Sequence, residues 1–204
     1  MTYYKATRPD GTSFYDGKTA WAVGETVKIK PKDRRADLCG RGILHAADAP
    51  GETLVGGSWP CRLFEVEGTP IAQEGHKFGF HELTVVRELP AWQALGPNGE
   101  AVAALIERAA TITVEQAERL RAAADAAAGA AADAAWDAAR RAAADAAWDA
   151  AWGAAADAAW RAAAGAAADA AWDAALALVV RELISDEQFQ VLYGPWASVM
   201  EAQE

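Results

Sequence analysis

Five tryptophans recur in a stretch built almost wholly of alanine, and each follows an aspartate by three residues: Asp133/Trp136, Asp145/Trp148, Asp149/Trp152, Asp157/Trp160 and Asp169/Trp172. Residues three apart are neighbours on a helix face. A carboxylate there can accept the indole N–H, which a half-buried tryptophan needs satisfied. Left in water, indoles are contact surface, so Trp136, Trp148, Trp152, Trp160 and Trp172 are the expected partner-binding residues, toward another protein or a second copy of the chain. The aspartates have a plainer role beside this one, which is to keep an alanine-rich helix in solution.

Other chemistry is sparse. Cys39, His45, Cys61, His76 and His81 are the residues that could ligate a metal. Zinc ligands usually arrive in close pairs, and the Cys39 to His45 interval matches no standard spacing, so no metal is expected. Lys28, Lys30, Lys32, Arg34 and Arg35 make a basic run, but no aromatic residues interleave with it and the net charge of the chain is −10, so nucleic acid is not the expected partner. No glycine-rich phosphate loop or nucleophile elbow occurs and no nucleophile is paired with a base, which argues against an enzyme and against a bound cofactor.

The elements that must position the indoles follow from a four-residue period. Ala122 to Asp173 divides into thirteen tetrads whose first two positions are always Ala. The third is Ala, Trp or, once, Arg140, and the fourth is Asp, Gly or Arg. Alanine is the strongest helix former, so the stretch is expected to be helical. A period of four overshoots the 3.6 residues of a turn, and the stripe rotates by about 40° per tetrad. One straight rod would show tryptophan on every side. The region is therefore expected to break near Gly129, Gly153 or Gly165, or to pack through i, i+4 ridges. A folded-back bundle within one chain is favoured over an extended oligomeric helix, with the indoles buried. Trp148→Ala combined with Trp152→Ala is then expected to cost several kcal/mol. Capping boxes flank the tetrads: Thr113 with Gln116 before them, Ser185 with Gln188 after. Gly194-Pro195 is expected to end the helix begun at Ser185.

Residues 1–94 read mainly as strands and turns. "YYKATRPDGTSFY" has the form of a hairpin around Pro-Asp-Gly. "ETVKIK", "CRLFEVEG" and "FGFHELTVVREL" alternate apolar with polar residues as half-buried strands do. "PAWQAL" is expected to form a short helix starting at Pro90. Gly, Pro and Asn cluster in "LGPNGEAV", which places a boundary there. The expected fold class is thus α+β: a small β-rich domain over 1–97 and an alanine-rich all-α domain of packed helices over 98–204. Residues 1–97 hold twelve basic and twelve acidic side chains, whereas residues 98–204 hold seven arginines against seventeen acids, so the negative charge belongs to the helical half. Every tetrad carrying Trp includes a charge or Gly, and no run of eighteen uncharged apolar residues exists, so no membrane span is expected. The opening "MTYYKATRPDG" has no secretory pattern, and a cytoplasmic protein with reduced thiols is expected.

Two further likenesses attach to quoted segments. The order "YKATRPDGTSFYDGKTAWAVGE", "LCGRGILHAADAP", "RLFEVEG" and "ELTVVRELP" resembles a domain family of unknown function found in phage and prophage proteins, over about residues 3–90. Leu44, just before His45, is an addition to that pattern. The tetrads with the ending "ALALVVRELISDEQFQVLYGPWASV" resemble Ala/Trp/Asp repeat tails of phage-associated and immunity-type bacterial proteins, over residues 120–200. Together these imply a phage- or prophage-associated accessory protein that acts by protein–protein interaction, or an immunity or anti-defence protein. The layout of the first half also resembles ADP-ribosyltransferase folds, which would make Glu65 or Glu67 the late catalytic glutamate.

Overall fold

A computed structural model describes residues 1–34, 38, 42–145, 149–163 and 167–202, with the backbone alone at 144–145, 149–152 and 154–156. The chain is α+β: an antiparallel sheet precedes a run of helices. It divides into two compact units, Met1–Ala94 and Leu95–Glu204.

The first unit is a seven-stranded sheet among the described residues: β1 (Tyr3–Thr7), β2 (Thr26–Lys28), β3 (Leu44–Ala47), β4 (Arg62–Glu67), β5 (Ala72–Glu74), β6 (Lys77–Phe80) and β7 (Glu82–Leu89). The strand order is β2-β7-β4-β1-β3-β6-β5, so β1 lies at the centre. Period-two alternation sends Tyr3, Leu44, Ala46, Phe64, Val66, Phe78, Phe80, Leu83 and Val85 into one cluster with Trp21. Tyr3 meets Phe80 edge-on, with ring centroids 4.8 Å apart. Trp21 satisfies its buried N–H by donating to Ser13 Oγ at 2.8 Å. A register shift between β4 and β7 pairs Glu65 with Arg87 but Val66 with Val85, passing over Val86. That bulge keeps both Val66 and Val85 in the core and leaves Val86 outside. At Gly79 on β6, a Cβ would lie 2.4 Å from Ile43 Cδ1, so only glycine lets that side chain close over the strand.

Two details of the strand reading are corrected. The Pro-Asp-Gly turn forms, with Asp10 accepting from the Thr12 N–H at 2.9 Å, but its return limb makes no strand alongside β1. Thr12 bridges Ala20, and the two edges of β1 are taken by β3 and β4. "FGFHELTVVREL" is two strands, parted at His81, whose carbonyl accepts from the Ile29 N–H at 2.8 Å. "PAWQAL" gives a single 3-10 stretch, Ala91–Leu95.

The second unit consists of α1 (Gly99–Ala109), α2 (Val114–Ala127), α3 (Ala130–Asp145), α4 (Asp149–Ala162), α5 (Ala167–Val179) and α6 (Asp186–Met200). Both capping boxes form: Thr113 opens α2 and Ser185 opens α6, each bonding reciprocally with its glutamine. The α2–α3 reversal falls at Gly129, where φ is +141°, a value costly for any residue with a Cβ. Gly153 lies inside α4 instead of at a break, and Gly165 falls outside the described residues. Pro195 does not end α6, which runs on to Met200. A proline there removes one N–H bond near the helix end, while Trp196, Val199 and Met200 beyond it are buried and hold the last turn in place.

The tetrads fold back as a bundle in which α5 packs against α1, α2, α3, α4 and α6. From Ala135 onward the described second-position alanines are buried: Ala135, Ala139, Ala143, Ala159, Ala163, Ala167 and Ala171 are all 7% exposed or less, whereas Ala123 and Ala127 are half-buried and Ala131 is exposed. α3 carries four tetrads and α4 about three, and the 40° drift shows at the start of α3, where Ala131 is exposed before Ala135, Ala139 and Ala143 turn inward. Small side chains let the helices approach closely.

Candidate functional site

The third and fourth tetrad positions converge on one place. Trp136 on α3, Trp160 on α4 and Trp172 on α5 line a cavity of about 640 Å³ with Asp133, Asp157, Asp169 and Asp173, and Val191, Leu192 and Pro195 of α6 close one side. Trp160 and Trp172 stand perpendicular, their centroids 6.3 Å apart, and so form two walls of a corner. The Arg140 guanidinium lies 4.9 Å over the Trp136 ring. Three of the five expected partner-binding residues are therefore gathered together. Trp148 and the side chain of Trp152 lie outside the described residues.

The expected burial of the indoles is corrected. Trp160 is 50% exposed, and Trp136 and Trp172 are only partly buried. The indole that fills the core of this unit is Trp196, which belongs to no tetrad and is 1% exposed. The third position sits beside the buried second one, at the rim of the core, where a large ring overhangs a neighbouring helix. The expected pairing within one helix is corrected for Trp136: its Nε1–H donates to Asp173 Oδ1 at 3.1 Å, across to α5, and not to Asp133. α3 and α5 pack against each other, and the long indole of Trp136 reaches across that contact to Asp173.

Asp173 is the unusual group. Burial pushes its carboxyl up to about 6, with the nearby Asp169 adding to the rise and the Trp136 hydrogen bond opposing it. It is still mostly ionised at neutral pH. Sequence reasoning missed it, although it is the last charge before the apolar run "AALALVV" of α5, where a charge has the least water.

The first unit has a second cavity, about 480 Å³, lined in part by Tyr4, Lys5, His45, His76 and Lys77. Lys5 is partly buried, with its Nζ 5.4 Å from the Trp21 ring centroid. Burial lowers its ammonium to about 8, with Lys77 adding to the fall and Asp16 opposing it. After reductive ¹³C-methylation, Lys5 is expected to titrate about two units below the usual lysine value of about 10.4. NMR titration checks this, and a midpoint near 10 would show that Lys5 is solvated.

The other candidates are dispersed. His45 Nε2 shares a hydrogen bond with the Leu38 carbonyl, and burial lowers its pKa. His76 Nδ1 lies 2.8 Å from Asp48 Oδ1, and that hydrogen bond raises its pKa. Cys61 is buried, its thiol pushed up to about 12, and Cys39 lies outside the described residues. Among the described residues no three His, Cys, Asp or Glu side chains gather as a metal site. Of the basic run, Lys28 pairs with Glu82 at 2.9 Å, and Arg35 lies outside the described residues. Glu65 is committed to Arg87, with Oε2 accepting from Nε at 2.7 Å, and Glu67 stands exposed at the end of β4. No helix is long and apolar enough to cross a membrane among the described residues. No protein-family model, curated protein or solved structure matches the chain.

Proposed function

We propose that the protein acts by protein–protein interaction and not by catalysis, and that the tryptophan-lined cavity of the helical unit receives the partner. The observation that carries this reading is the meeting of Trp136, Trp160 and Trp172 around one opening in the helical unit. Large rings at the rim of such an opening supply contact area with few rotors to freeze, which is what binding hot spots are made of. Of the two glutamates an ADP-ribosyl transfer could use, Glu65 is paired with Arg87 and Glu67 is exposed at the end of β4. The accessory role in phage or prophage biology implied by the sequence likenesses is compatible with such a protein.

A photo-crosslinking residue at Ala132, on the cavity lining, tests the reading in the full chain within its native host. A discrete crosslinked polypeptide is expected from the parent and is lost on Trp172→Ala. Crosslinking to a second copy of the chain, with light scattering that changes with concentration, would assign the cavity to self-association. No polypeptide adduct would overturn the proposal. Labelled NAD+ is expected to be neither transferred nor hydrolysed; turnover abolished by Glu65→Ala or Glu67→Ala would make the chain an enzyme.

A further inference from the structure

The cavity combines two features that select one class of chemistry. Its walls are indoles, whose faces carry negative potential, and its charged lining groups are the carboxylates of Asp133, Asp157, Asp169 and Asp173. Trp160 and Trp172 present rings at 90°, the geometry that lets one compact cation touch two faces. Asp173 lies on the lining with its carboxylate partly desolvated, and the one hydrogen bond it receives in the chain comes from a neutral indole N–H among the described residues. Of the nearby arginines, Arg140 covers Trp136 and Arg161 reaches Asp157 at 3.8 Å. An anion or a neutral apolar guest would leave Asp173 worse off, whereas a cation relieves it.

We propose that the cavity is a site for an organic ammonium group, seated in the Trp160/Trp172 corner with Asp173 as its counter-ion. This rests on the reading of the cavity as the partner's seat and names the group the partner brings: a lysine ammonium, bare or methylated. A free amine offers the same chemistry, and the experiment separates the two sources. The volume of about 640 Å³ exceeds a tetraalkylammonium head and leaves room for the chain that carries it.

The test uses the full-length chain, with indole fluorescence and the Nε1–H resonances as readouts. Choline and its uncharged isostere 3,3-dimethylbutan-1-ol share a shape and differ in charge. Choline is expected to saturate the indole response at least tenfold more tightly than the isostere, at matched ionic strength. A lysine peptide is expected to bind and its acetyl-lysine form to bind at least tenfold more weakly. Trp172→Phe keeps a ring and the packing, Asp173→Asn keeps the acceptor, and each is expected to weaken choline by tenfold or more with the helical circular dichroism unchanged. Saturation by choline without the peptide assigns a free amine as the source. Equal responses to choline and the isostere, or none to choline and peptide alike, would overturn the inference. A crosslinked polypeptide with no cation response would leave the interaction reading standing and remove only the ammonium; cation binding without a crosslinked polypeptide would do the reverse.

Discussion

Trp196→Ala is expected to destabilise the helical unit by about 3–5 kcal/mol, the usual cost of removing a fully buried aromatic ring. The residue is 1% exposed on α6, a helix that packs against α2, α3 and α5. Alanine cores bury little area per residue, so one indole supplies an outsized share of the apolar surface here. The cost includes the cavity left behind wherever the neighbouring side chains cannot collapse into it. Urea unfolding followed by helical circular dichroism measures the loss. Trp160→Ala is the control: its ring is half in water, and about 1 kcal/mol or less is expected. Equal costs at the two positions would show that the tetrad indoles, and not Trp196, hold the bundle together.

Asp173→Asn is expected to stabilise the same unit at pH 7. The Asp173 carboxyl ionises near 6 in the folded chain against an ordinary value of 3.8, so the folded state keeps a proton that the unfolded state has lost between those two pH values. Stability therefore falls as pH rises from about 4 to about 6, and the loss persists above that window. Full ionisation costs up to about 3 kcal/mol, from the free energy of a two-unit shift. Asparagine keeps an oxygen for the Trp136 N–H and drops the charge, so a gain of about 1–3 kcal/mol at pH 7 is expected, vanishing near pH 4. Urea midpoints at the two pH values decide it; a variant less stable than its parent at pH 7 would show that the ionised carboxylate is already well solvated. A residue that lowers stability while facing an opening lined by aromatic rings fits selection for binding over stability.

The sequence carried the elements better than their meetings. Thr113/Gln116 and Ser185/Gln188 start α2 and α6 because a cap is local and needs only four residues. β4 and β7 follow from alternation, which the pleat imposes residue by residue. The hairpin after β1 failed because a turn signal decides where the chain bends, not which strand then wins the free edge. Pro195 misled because local propensity yields to a buried turn beyond it. The Trp136–Asp173 bond spans 37 residues, and no periodicity connects them until helices α3 and α5 are side by side. The tetrad indoles were recognisable as a set, but their exposure was not, because the sequence does not say which of four positions faces inward.

That division of labour among the four positions makes the repeat a geometric dial. One tetrad added to a helix advances everything after it by about 6 Å and turns it by about 40°. A single extra unit in α4 would shift Trp160 off its perpendicular contact with Trp172 by a modest angle while returning an alanine of the same rank to the core. Changes of length in steps of four thus return an alanine to the place of Ala159 or Ala171 and retune the corner between two rings, whereas removing one residue ahead of them would bring Trp160 or Trp172 to that place, and removing two would bring Arg161 or Asp173.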